Sequence, residues 1–458
     1  MLRIVAAFLF SAAPLLAADA AVIDRNVEER LDDQLVRGAS VVIVRDGKVL
    51  HSRAFGEARS GTAMSVDAPL VIGSLSKAFT ATAVLQLVDA GKISLDAPVR
   101  TYLPEFRLAD ETAAARISVR HLLNQTSGIP KDAPRATNAH PTLADHVAAL
   151  AATPLAATPG AHHIYASPNY QILGLLVEKV SGLSFGDYLR ERIFAPLGMT
   201  HSFVDIASAR NAGLAPGHNI WFGLTLPSTY RHEPDRLPTA SIITSAADLA
   251  RFVSSHLGSG PQLLSPDSLR IAHLGVAAQG SFKYAMGWRE GETAGVKSLW
   301  HGGALPSYRG AVVMLPETKT GIVILTNSSS MFADHTREIA SGIAALLNGK
   351  EPSVPPRALR TTYRWIALLA LFFGALHVRS IVKTVRKPEG KSARKVVISD
   401  LAVPLIVLAF LPRMISVSWK GMYEGAPDLT VFLLLVLASG IMAGVVNLLR
   451  RRRVTAAA

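Results

Sequence analysis

Cysteine is absent from the 458 residues, so disulfides, thiol nucleophiles and thiolate-held metals are all excluded. For an exported protein, that absence requires only that the apolar core suffice without staples. A His-Glu-x-x-His run or comparable ligand cluster is missing too. His162-His163 finds no third partner in the sequence, so no metal and no cofactor is expected. No internal repeat or long low-complexity tract occurs. Acidic residues are scarce in one place: residues 351–458 carry 16 Lys or Arg against 5 Asp or Glu. Of the net charge of +13, this leaves only +2 for residues 1–350, and the tail's charges cluster at the ends of apolar segments. That distribution fits a membrane anchor and removes the case for a nucleic-acid partner.

What the chain does contain is chemistry at a helix start. Val66 to Ile72 has an extended pattern, and residues 78–88 form a helix with an apolar stripe, so Ser74 sits at a helix N-terminus. In Ser74-Leu75-Ser76-Lys77 the serine and lysine are three apart, on one helical face. A serine hydroxyl needs a neighbouring base to become a nucleophile. Lysine serves if burial and the positive helix end lower its pKa. Ser76 points elsewhere, which leaves Ser74 as the nucleophile. The spacing alone is common: it recurs at Ser380 to Lys383 and at Ser392 to Lys395, in a basic segment without a plausible pocket.

Two later pieces give it context. Of nine tyrosines, Tyr165 alone is followed two residues on by a small polar side chain suited to substrate, Ser167. His301-Gly302-Gly303 then supplies a small-residue strand. A literal Lys319-Thr320-Gly321 lies between two apolar strand-like runs and is read as a hairpin turn.

Ile72 to Thr80, Leu95-Asp96-Ala97-Pro98-Val99, Val119 to Ile129, Asn169 to Gly174, Pro196 to Met199, Thr244 to Phe252 and Tyr284-Ala285-Met286-Gly287-Trp288 run in order over roughly residues 25–347. Together with the S-x-x-K piece they resemble the class C β-lactamase and penicillin-binding-protein-like serine hydrolases. The resemblance implies Ser74 as the acylated serine, Lys77 as its base and Tyr165 as a second proton-transfer group. It also implies Ser167, His301 and Gly303 as substrate-binding positions, with the backbone N–H groups of Ser74 and Ala304 as oxyanion donors. Two departures stand out. Tyr165-Ala166-Ser167 has a hydroxyl where the usual Tyr-x-Asn has an amide, and His301 stands where true β-lactamases carry lysine. Efficient β-lactamase activity is therefore not expected.

The expected architecture is α+β, a β-lactamase/transpeptidase-like antiparallel sheet flanked by helices with an inserted helical subdomain, followed by three transmembrane helices. Strands are expected at 40–44 and 49–54 around Asp46-Gly47, then near 284–289, 298–300, 311–315 and 322–325. A helix over 22–35 precedes them and one over 336–347 follows. Residues 1–20 read as a signal peptide, 21–350 as the hydrolase domain, 351–360 as a linker and 361–458 as the anchor. Its spans lie near 363–378, 396–419 and 429–449. The basic clusters place the C-terminus in the cytoplasm and the catalytic domain outside it, at the cell (inner) membrane. The expected partners are the lipid bilayer and a small-molecule, peptide or ester substrate, with peptidoglycan-derived compounds among the candidates. A catalytically weak acyl-binding sensor and an accessory outer domain of a membrane protein are the other readings.

Overall fold

A computed structural model describes residues 17–221, 223–228, 232–330, 334–353, 359–386, 402–414 and 418–457. Its centre is a nine-stranded antiparallel sheet formed from both ends of the catalytic region. The early strands are β1 (Gly38–Arg45), β2 (Lys48–Arg59) and β3 (Thr62–Ala63). The late ones are β4 (Ala277–Gln279), β5 (Phe282–Tyr284), β6 (Arg289–Thr293), β7 (Val296–Leu305), β8 (Tyr308–Leu315) and β9 (Thr320–Thr326). In space the order is β3-β2-β1-β9-β8-β7-β6-β5-β4, with β1 closing on β9 through Ala39 opposite Thr326 and Arg45 opposite Thr320.

The central strands are apolar without alternation because both sheet faces are covered. Val42, Val44, Val312, Met314, Val323 and Leu325 point into the main core, whereas Val41, Ile43, Val313, Leu315, Ile322 and Ile324 point into a second one. The second core is closed by α1 (Ala17–Asp33) through Ile23, Val27 and Leu31, and by the helix His335–Leu347. Successive residues of a strand face opposite ways, so each strand serves both layers. On the main face, α2 (Ser76–Asp89) packs against α3 (Ser167–Ser181) and α4 (Ala246–His256), and Phe79 stacks on Phe252 with centroids 4.0 Å apart. The residues between β3 and β4 are mainly helical and form the inserted subdomain.

The hairpin at Asp46-Gly47 closes with both residues at positive φ, the twist that two-residue hairpins favour. Lys319-Thr320-Gly321 lies at the β8–β9 turn, with Lys319 left-handed. The strand expected over 284–289 is instead the connection between β5 and β6. Gly287 there has φ +80° and abuts Lys77 and Ala78. A buried apolar run bounded by aromatics carries a strand's composition, but this glycine turns the chain.

The C-terminal region differs from expectation. Among the described residues, no helix is long and apolar enough to cross a membrane. The helix in the second expected span, Val403–Met414, has 12 residues, about 18 Å of the roughly 30 Å that a bilayer core requires. The first, Leu359–Arg386, holds Arg379, Lys383 and Arg386 in its last two turns, and the third, Pro427–Ala457, carries Arg450 to Arg453 just before its last turn. Ser380 and Lys383 lie within the first of these helices. Residues 387–401, with Ser392 and Lys395, and most of the expected signal peptide, residues 1–16, lie outside the described residues. Ala18-Asp19-Ala20, small residues at the end of the expected signal peptide, fall in the first turn of α1.

Candidate active site

Ser74 occupies a single 3₁₀ turn, Gly73–Leu75, that runs directly into α2. Lys77 lies one turn on, 1% exposed, and its Nζ is 3.3 Å from Ser74 Oγ and 2.9 Å from the Thr239 carbonyl oxygen, to which it donates. The Thr239 segment is stitched along α2. Thr80 Oγ1 donates to the Pro238 carbonyl at 2.8 Å, and Ser76 Oγ accepts from the Ile242 N–H at 3.2 Å. Ser76 is thereby buried and occupied, which leaves Ser74 as the half-buried hydroxyl at the surface of the groove.

Tyr165 precedes α3 and stands beside the Ser74–Lys77 pair, close enough for both side chains to act on its phenol, with Lys77 Nζ 4.9 Å from the ring centroid. A buried polar network fixes this segment. Gln125 Oε1 accepts from the Ala166 N–H at 3.0 Å and from Asn169 Nδ2 at 2.6 Å, while Ser127 Oγ donates to Asn169 Oδ1 at 2.6 Å. Gln125 achieves this reach with φ +59°, an uncommon conformation for a non-glycine residue.

The donor side of the site is made by contact of two glycines. A Cβ on Gly303 would stand 1.9 Å from the Ile72 carbonyl oxygen and 3.4 Å from the Ser74 nitrogen; one on Gly73 would stand 2.8 Å from the Ala304 nitrogen. Only glycine lets β7 lie this close to the serine turn. The close approach brings the backbone around Ser74 and Ala304 together, the two residues whose N–H groups the resemblance implies as oxyanion donors.

Burial pulls the Lys77 amine below its ordinary pKa, against the raising influence of the Tyr165 phenol oxygen. Burial alone would push the Tyr165 phenol up, but the Lys77 charge, the hydrogen bonds from Ser74 and Lys77 and the nearby Arg289 together bring it down. The two groups can therefore exchange one proton at modest cost beside the serine hydroxyl. An acidic limb should follow in the pH profile. Ester kcat/KM should fall about tenfold per pH unit below an inflection that lies under 10.5, because the ammonium form cannot accept the serine proton. A stopped-flow pH series measures this, and an inflection at or above 10.5 would remove Lys77 as the base.

His301 is fully buried, and burial first, then Arg289 and Lys77, press its pKa well below the usual histidine value. Its Nδ1 lies 2.8 Å from the Gly302 carbonyl, and its ring forms a triangle with those of Tyr165 and Tyr284, 6.3 and 6.1 Å away. It is therefore neutral at ordinary pH and packed among the site's aromatic rings, with no surface of its own exposed. Ser167 begins α3 and lines a recess of about 140 Å³ beside Thr239. His163 is pushed down to about 4 by burial and by Arg289, and stacks near Tyr284. Among the described residues, no group of three His, Asp or Glu could hold a metal ion.

Sequence reasoning missed Arg289. It follows Trp288 at the start of β6, pairs with Trp300 across the ladder, and places its guanidinium 5.7 Å from the Tyr165 ring, 5.1 Å from Phe282 and 4.7 Å from Trp300. Its Nε is buried with no hydrogen-bond partner among the described residues. The cation that position 301 lacks is thus present on the adjacent strand.

A family model described as Beta-lactamase matches residues 23–346. Penicillin-binding protein 4 of Amycolatopsis lactamdurans is 33% identical over 70% of this chain and 90% of its own length. Protein flp of Staphylococcus aureus is 27% identical over 68% of the chain, which spans 63% of that relative. Among solved structures, the octameric penicillin-binding protein homologue from Pyrococcus abyssi superposes with a TM-score of 0.63 at 26% identity, covering 73% of this chain and 78% of that one. The beta-lactamase/D-alanine carboxypeptidase from Pseudomonas syringae gives 0.63 at 22% identity, over 74% of this chain and 100% of that one, a likeness of fold. The chain belongs to the beta-lactamase family, whose fold is that of serine hydrolases working by acyl transfer.

Proposed function

We propose that this protein is a serine hydrolase that forms an acyl-enzyme on Ser74 and acts on esters, peptides or amides, with cell-envelope or D-amino-acid-containing substrates the favoured class. The observation that carries the reading is the placing of Lys77 Nζ 3.3 Å from Ser74 Oγ with the Tyr165 ring beside it, where the Gly303 strand closes on the serine turn. Ser74 Oγ attacks the carbonyl carbon as its proton passes to the Lys77–Tyr165 pair. The carbonyl oxygen gathers charge against the Ser74 and Ala304 N–H groups. The bond to the leaving group breaks, and the phenol returns the proton to it. Water then attacks the acyl ester, gives its proton to the same pair and restores the serine.

The envelope substrate class is supported by similarity to a penicillin-binding protein and, in fold, to a D-alanine carboxypeptidase. Weak turnover of β-lactams follows from the neutral His301 and from the short Ser167 side chain in the amide's place. Purified protein should be labelled by a fluorophosphonate and should turn over a p-nitrophenyl ester or a D-Ala-D-Ala peptide. Labelling without turnover of either would make it an acyl-binding sensor instead, and no labelling at all would overturn both.

We infer also that residues 359–457 hold the catalytic domain at a membrane, on its outer side. Support comes from exposed large apolar side chains, among them Leu368, Leu369, Leu371 and Phe372, with Leu434, Leu435 and Met442 on the last helix, and from the flanking arginines. The protein should sediment with membranes through alkaline carbonate. A reporter fused after Ala458 should be active in the cytoplasm only; carbonate extraction or an external signal would overturn this placement.

A further inference from the structure

Beside the catalytic cluster lies the 140 Å³ recess, lined by Lys131, Arg135, Ser167, Gln171, Arg236 and Thr239 among others. Its floor is shared with the catalytic centre, because the Thr239 carbonyl that lines it also accepts the Lys77 hydrogen bond at 2.9 Å. Its rim is cationic, and Arg236 lies near enough to disfavour the Lys77 charge. Two carboxylates face these three cations: Glu233, 2.9 Å from Arg236 and 3.8 Å from Arg135, and Asp235, 3.2 Å from Arg135. Asp235 is also held by His146 Nε2 at 2.6 Å, in a pair whose side chains are almost fully buried. Lys131 makes no ion pair among the described residues, so the recess keeps positive charge in excess.

Resting on the acyl-enzyme reading above, we propose that this recess selects substrates whose acyl group carries an anion, a carboxylate of a size the 140 Å³ volume admits. The acyl chain of a substrate bonded to Ser74 enters past Ser167 and Thr239. A terminal carboxylate there meets Arg236 and Lys131, and the charge-assisted hydrogen bonds formed are stronger than those a neutral group would make. A neutral acyl end leaves the guanidinium facing Glu233 alone and gains nothing.

The test compares two p-nitrophenyl esters with the same leaving group, one of glutarate with a free terminal carboxylate and one of its monomethyl ester. The wild-type protein should prefer the free acid by about tenfold or more in kcat/KM, a preference that shrinks as salt rises. Arg236→Met and the exposed-site Lys131→Met should each cut that ratio toward unity. Lys131→Glu should favour an ester of 4-aminobutyrate over the glutarate ester. Equal turnover of both esters by the wild type, or a ratio untouched in both variants, overturns the anion pocket while the hydrolase reading stands. Failure to hydrolyse either ester together with no fluorophosphonate labelling overturns both.

Discussion

Ser74→Ala should abolish fluorophosphonate labelling and lower ester turnover by about 10³-fold or more, the scale on which loss of a serine nucleophile is felt in other hydrolases. The size of the effect follows from what surrounds the lost hydroxyl. Ser76, the neighbouring hydroxyl on the same segment, is fully buried and accepts the Ile242 N–H at 3.2 Å, so it cannot substitute. Residual activity would come from the N–H groups of residues 74 and 304, which still polarise a carbonyl and leave water to attack unaided. Gel fluorescence and intact-mass measurement of the adduct read the outcome. An alanine variant that still takes up one equivalent of label would place the nucleophile elsewhere.

Tyr165→Phe should reduce the acylation rate by roughly 10²–10⁴ while changing thermal stability little. The ring stays, and with it the packing against Lys77, whose Nζ is 4.9 Å from the centroid. What goes is the hydroxyl whose ionisation is tied to Ser74 and Lys77. The amine must then move the serine proton to the leaving group alone, from a position also committed to the Thr239 carbonyl. Single-turnover kinetics with a chromogenic ester separate this step from deacylation. A loss below about tenfold would make the phenol a packing group.

How much of this could be read in the sequence differs between parts of the site. Serine and lysine three apart share a helical face by geometry alone, and the strands flanking the Asp46-Gly47 and Lys319 turns announce themselves by composition. Asn169 and the Gln125–Ser127 run were visible as familiar blocks, but their hydrogen bonds to each other over 42 to 44 residues were not. Thr239 is worse placed: it contributes a carbonyl, an atom every residue has, from 162 positions beyond Lys77. Arg289 was overlooked because arginine beside a glutamate at a strand start reads as surface, and only the ladder partner Trp300 and the Phe282 ring turn it inward. The apolar run 284–288 misled because strand composition and a buried turn are alike until Gly287 takes its positive φ. For the tail, the apolar runs and their basic flanks were legible but the helix bounds were not: Leu359–Arg386 runs on through Arg379 and Lys383, and Val403–Met414 is shorter than the run that contains it.

The pairing of β1 with β9 carries a consequence for biogenesis. Ribosomes deliver the serine, the amine and the phenol within the first 165 residues, yet the strand bearing Ala304 stays unanchored until residues near 326 have emerged and closed the sheet on its opening strand. Such long-range closure folds slowly. A nascent or prematurely terminated chain therefore holds its reactive side chains without the donors that make them productive, and hydrolytic competence arrives almost with the last of the sheet.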